Sequence, residues 1–170
     1  MAVIVEDGTG LTNANVYATW AELTSYLNLR GIVTTGKTQP QWEAYLVQAT
    51  DYIDRHWQFQ GLRLLATQSL AWPRTYIYDD TGAAISGLPV AVKNACIEYA
   101  YQLSIGNALF LVPTVDPSGS RVISEKKVVG PIQKSVTFAS SNSVRTSRDF
   151  PVADSLLWPF SIGGAFVVRA

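Results

Sequence analysis

Cysteine and histidine are almost missing from the sequence: Cys96 and His56 are the single examples in 170 residues. One thiol allows no disulfide within the chain, so Cys96, on the inward side of a helical pattern, is expected as a buried small apolar residue. A metal centre draws on several such ligands close together, and none is expected. Charge is scarce as well. Charged residues are 15% of the chain, against roughly 25% in an average soluble domain, which points to apolar surface covered by partners. No apolar run approaches the roughly 18 residues of a membrane span. The start, MAVIVEDGTG, lacks the basic and apolar regions of a signal peptide. A cytosolic chain with no membrane partner is expected.

Reactive constellations are also lacking. Gly8-Thr9-Gly10 has neither the length nor the lysine of a phosphate loop, and no Ser/His/Asp order resembles a nucleophile site. Asp79-Asp80-Thr81-Gly82 is turn composition rather than a metal-binding carboxylate pair. Asp51 and Asp54, with Arg55, read as solvated or ion-paired positions on a helix flank. His56 reads as a packing residue. The expectation is a protein that is not an enzyme and has no cofactor.

Hydrophobic material is abundant, at 48% of the chain. Thr19 and Glu22 have capping-box spacing ahead of Trp20, Leu23, Tyr26 and Leu27, and Gly31 offers a left-handed stop. Trp42, Tyr45, Leu46, Ala49, Tyr52, Ile53 and Trp57 recur at the three-four spacing of one apolar helix face, with Thr38 as cap and Pro40 in the first turn. Pro89 opens a third helix whose inner face is Val92, Ala95, Cys96, Tyr99, Ala100 and Leu103, ended by Gly106. Trp42, Leu46, Ile53, Cys96 and Leu103 are the expected helical core.

Between the second and third helices the rhythm breaks. A β-hairpin is expected at about 74–88, with residues 76–78 and 83–85 flanking the Asp-Asp-Thr-Gly turn. Beyond residue 110 the alternation over 122–138, around Gly130-Pro131, predicts strands or extended arms. The Ser-rich stretch 139–149 reads as a loop or an arm ordered by a neighbour. A short helix is expected at 154–158, stopped by Pro159, and a last strand at 165–168. The fold class is mainly α: a bundle of three or four helices over residues 1–110 with an inserted hairpin, then a β-rich extended C-terminal arm over 111–170 within the same domain.

Net charge is zero but unevenly placed. Residues 1–120 hold six basic and ten acidic side chains, and residues 121–170 hold seven and three. Arg121, Lys126, Lys127, Lys134, Arg145 and Arg148 are the candidate contacts to DNA or an acidic partner. Most aromatics lie at core spacing, and a dedicated single-strand binder is usually basic overall.

Tyr17, Ala-Thr-Asp-Tyr-Ile-Asp at 49–54, Phe59, Gly61, the Gln68 to Arg74 stretch with its Leu-Ala-Trp-Pro-Arg, Gly82, Leu88-Pro89 and Val92 form an ordered set. The set resembles the tailed-bacteriophage head-tail adaptor or head-completion proteins, a family labelled DnaT-like single-stranded-DNA-binding. The likeness covers residues 15–110 best. It implies a virion protein at the head-tail interface, made in the bacterial cytoplasm and forming a homo-oligomeric ring of roughly twelve copies. It also implies the portal protein and a tail, stopper or terminator protein as neighbours, with non-specific contact to packaged double-stranded DNA. A single-stranded-DNA-binding replication protein and a tail-terminator-like ring protein are the alternatives. On this reading Trp72, Pro73 and Arg74 are a structural junction: proline ends an element, the indole covers the core, and the guanidinium is free for a carboxylate on this chain or the next subunit.

Overall fold

The computed structural model of the chain describes residues 2–79, 81–109, 122–128, 133–138 and 149–162. Helix α1 is Trp20–Asn28, and its first turn closes as the sequence predicts: the Glu22 N–H donates to Thr19 Oγ1 at 3.0 Å and the Thr19 N–H to Glu22 Oε2 at 2.7 Å. Helix α2, Gln39–His56, begins with Pro40 in its first turn and the Thr38 N–H donating to Gln41 Oε1 at 2.8 Å. Helix α3 is Val90–Ser104, with Pro89 as its cap residue. Helix α4, Pro151–Leu157, starts three residues before its expected position, because Pro151 fits a first turn. It runs on into a 3-10 turn, Trp158–Phe160, that contains Pro159.

The fold is mainly α with a small antiparallel hairpin, as the pattern predicts. Helix α3 packs against both α2 and α4. Trp42, Leu46, Ile53 and Cys96 are buried there as expected, whereas Leu103, near the end of α3, is half-buried. Small residues explain the tight α2–α3 contact: Cys96 Sγ lies 3.4 Å from Thr50 Oγ1 and 3.7 Å from the Leu46 carbonyl. Burial pushes the Cys96 thiol up to about 12, so it stays protonated and unreactive at neutral pH. Helix α4 is locked on by a polar chain: Trp57 Nε1 donates to Tyr99 Oη at 3.0 Å, and Tyr99 Oη donates to Asp154 Oδ1 at 2.6 Å. Asp154 Oδ2 then accepts the Phe150 N–H.

Strands β1, Leu62–Arg63, and β2, Arg74–Thr75, pair antiparallel with Leu62 opposite Thr75 and Arg63 opposite Arg74. The expected hairpin at 74–88 is present as a turn closed by a single bridge, Tyr78 to Ala84, with the Ile85 N–H donating to the Ile77 carbonyl. Asp79 Oδ1 fixes that turn by accepting from the Thr81 N–H, the Thr81 hydroxyl and the Ala83 N–H. The regular pairing reaches back to β1 instead, because β2 has its partner thirteen residues upstream.

Residues Met1–Leu109 with Asp149–Ala170 make one compact unit and Phe110–Arg148 a second. The short helix α4 thus belongs with the helical unit, not with the arm in which the sequence pattern placed it. In the second unit, β3, Val122–Val128, pairs antiparallel with β4, Gln133–Phe138. This is the extended pair expected over 122–138. The expected strand at 165–168 and the loop 139–148 lie outside the described residues.

Candidate functional site

The Trp72-Pro73-Arg74 junction sits where the segment between α2 and α3 crosses the helical unit. The Trp72 indole is fully buried, with Phe59 and Phe160 each at 5.5 Å between ring centroids. The peptide bond to Pro73 is cis. Arg74 corrects the expectation of a free guanidinium. Its Nε donates to the Gln60 carbonyl at 2.7 Å, Nη1 to Ala71 at 3.1 Å, and Nη2 to Phe59 at 3.2 Å and Gly61 at 2.8 Å. The fork of donors therefore ties two backbone segments together through carbonyl oxygens, with no carboxylate involved among the described residues.

Two further side chains complete the brace. Gln68, buried, donates through Nε2 to the Leu70 and Pro73 carbonyls and accepts the Leu65 N–H. Asp54, expected as a solvated flank residue, accepts the Tyr17 hydroxyl through Oδ1 and the Ala71 N–H through Oδ2. Burial raises the Asp54 carboxyl above its ordinary value, while the Tyr17 hydrogen bond works against that rise. Asp51 pairs with Arg55 at 3.7 Å on the surface, as read from the sequence.

The N-terminal loop supports the same segment from the other side. Glu6 is buried and accepts the Gly8, Gly10 and Leu11 N–H groups at 2.9–3.0 Å. The loop so formed receives Ser69, whose N–H donates to Leu11 and whose hydroxyl donates to Ala14.

This framework presents apolar side chains outward. Leu62 is 63% exposed and Tyr76 72%, and Leu64, Leu65 and Tyr78 are exposed too. Tyr76 holds φ at +59°, a conformation uncommon for a bulky residue and costing on the order of 1–3 kcal/mol. Such strain persists only where the surroundings fix it, as the Arg74 fork and the β1–β2 pair do here.

The remaining expected site residues are dispersed. Lys126 and Lys127 lie on β3 and Lys134 on β4, with Lys127 opposite Lys134 and Lys126 opposite Ser135. Arg121, Arg145 and Arg148 lie outside the described residues. His56 is exposed, its ring stacked on Tyr52 at 4.7 Å. Its pKa is lowered, chiefly by burial of the ring against its neighbours. Among the described residues no group of His, Cys, Asp and Glu is placed to hold a metal ion, and no helix is long and apolar enough to cross a membrane.

Compared with known families, residues 1–170 match the model described as "Putative DnaT-like ssDNA binding protein". The chain belongs to this family. Comparison with curated proteins and with solved structures finds no match. In this family member, sequence reasoning missed Glu6, and it named Tyr17, Asp54 and Gln68 without their bonding roles. Glu6 carries a faint signal, an acid just before Gly-Thr-Gly, whose backbone N–H groups a carboxylate can collect. The pairing of Tyr17 with Asp54 carries none, since the two are 37 residues apart.

The Arg74 arrangement gives a direct test. Arg74→Ala removes hydrogen bonds from a charged donor to four carbonyls, which should lower stability by on the order of 2–3 kcal/mol. Helix content should barely change, so the expected result is an unaltered far-ultraviolet spectrum, a lower urea midpoint and a changed Trp72 signal in the near ultraviolet. An unchanged midpoint would remove the brace assigned to the guanidinium.

Proposed function

We propose that this family member is a non-enzymatic structural adaptor of a tailed-bacteriophage virion. It forms a ring of about twelve copies beneath the portal, joins capsid to tail and lines the DNA channel. The observation that carries this reading is the braced segment of residues 59–76. Its buried polar groups are used to hold backbone, and it shows Leu62, Leu64 and Leu65 to solvent, a surface suited to protein contact. The basic residues of β3 and β4 suit weak, sequence-blind contact with passing DNA. Immunogold labelling of purified particles tests the reading: label at the head-tail joint is expected. Label lower on the tail would favour a tail-terminator-like ring, and its absence from virions would overturn the adaptor role.

A second reading, single-stranded-DNA binding, follows the family description and draws on the exposed Tyr76 and Tyr78. Against it, Trp42, Trp72, Tyr17, Tyr52, Tyr99, Phe59 and Phe150 are buried, and Trp158 is the one further exposed Trp, Tyr or Phe ring among the described residues. Titration of labelled oligothymidylate at moderate salt should give only weak binding, with Kd no tighter than roughly 1–100 μM. A tight, salt-steep isotherm abolished by Tyr76→Ala would establish the second reading.

A further inference from the structure

The aliphatic surface of residues 62–65 is uncovered within one copy, and the same copy carries an apolar groove of matching charge. That groove, of about 310 Å³, lies between residues 2–3 and the first half of α2, walled by Val3, Pro40, Ala44 and Val47. Among the described residues, Glu43 is its single charged lining residue. The carboxylate accepts from Gln39 Nε2 at 2.8 Å, and no cation lines the groove among the described residues. At the end of β1, Arg63 stands exposed between Leu62 and Leu64; its charge acts at a distance on the Asp54 carboxyl, and among the described residues no carboxylate lies within ion-pair distance of it. A larger groove of about 510 Å³ between α1 and α3 is charge-balanced, because Lys93 Nζ donates to Glu22 Oε1 at 2.7 Å, and it offers Arg63 no net attraction.

We infer that the groove beside α2 receives residues 62–65 of a second copy, with Arg63 of one chain set against Glu43 of the next. This rests on the ring reading above and names its subunit contact. Made in one direction, with the groove of a copy used on one neighbour and its residues 62–65 on the other, the contact is heterologous and repeats from copy to copy until a ring closes. The aliphatic side chains supply the apolar burial, and the single opposite-charge pair sets register and excludes misaligned docking. Pre-organisation by Arg74, Gln68 and the strained Tyr76 lowers the ordering cost of the incoming loop.

Charge reversal of the full-length chain tests the contact, read by sedimentation and mass photometry across a concentration series. Arg63→Glu alone and Glu43→Lys alone should each raise the concentration needed for association by roughly tenfold or more. An equimolar mixture of the two variants should recover association, since every junction then pairs opposite charges, and the double variant should recover it as well. Thermal melts of each variant establish that the fold is retained. If the wild-type chain associates only on particles, incorporation of each variant and of the mixture is read there in the same way. Association that ignores both reversals, or singles that the mixture fails to rescue, would overturn this contact while leaving the adaptor reading intact. A wild-type chain that is monomeric at every concentration and absent from particles would overturn both.

Discussion

Replacing Gly61 with alanine is expected to destabilise the protein by about 4 kcal/mol, the sum of a left-handed backbone penalty of about 1–2 kcal/mol and severe overpacking. Gly61 holds φ at +69°, and a Cβ there would lie 2.1 Å from the Thr75 carbonyl oxygen and 2.9 Å from Ile77 Cγ1. Neither neighbour can yield cheaply: the carbonyl is backbone held in the β1–β2 pair, and Ile77 is buried. Gly31 supplies the control. Its φ of +71° is nearly the same, but no atom lies within 4 Å of the added carbon. Gly31→Ala should therefore cost only the backbone term, on the order of 1 kcal/mol. Urea denaturation of both variants checks the comparison, and equal midpoints would show that the close approach of residues 61 and 75 does not constrain the fold.

Truncating Ile53 to alanine is expected to cost about 2–5 kcal/mol. Ile53 is completely buried on the face of α2 that also carries Leu46, Ala49 and Thr50, so the lost methyl groups leave a void in a close-packed interior. Leu103 provides the contrast. It is half-buried at the end of α3, where neighbours and water can fill the space, and Leu103→Ala should cost on the order of 1 kcal/mol. Equal losses at the two positions would mean that α3 is seated differently on α2.

The helices were legible because their information is local. The Thr19–Glu22 box lies within one turn, and the apolar stripe of α2 repeats within eighteen residues. Even the turn at Asp79 followed from neighbouring residues, since the carboxylate reaches groups two and four positions away. The β3–β4 pair was legible for the same reason, as alternating positions on either side of Gly130-Pro131 in the sequence.

The candidate site obeyed a different rule. From the sequence, Trp72-Pro73-Arg74 was visible as a junction, and the burial of the indole followed from its size and apolarity. What Arg74 binds was not visible. A guanidinium pairs with carboxylates or carbonyls according to which lone pairs surround it, and four carbonyls converge there only because Gly61 lets residues 59–61 approach β2. Asp54 was misassigned for a related reason. Its place on the flank of α2 was correct, but Tyr17 and Ala71 arrive from 37 and 17 positions away and remove it from solvent.

Alone, then, the sequence determined the mainly α class, the faces of α2 and α3, the turn at Asp79, the β3–β4 pair and the scarcity of reactive groups, all set by periodicity, caps and composition within a few residues. Tertiary structure decided where α4 docks, through Asp154 on Tyr99, and which partners Arg74, Asp54, Gln68 and Glu6 take. It also decided which apolar side chains remain outside. A side chain's hydrogen-bonding partner and its exposure depend on chain segments brought together by folding, and one-dimensional spacing carries no record of that convergence.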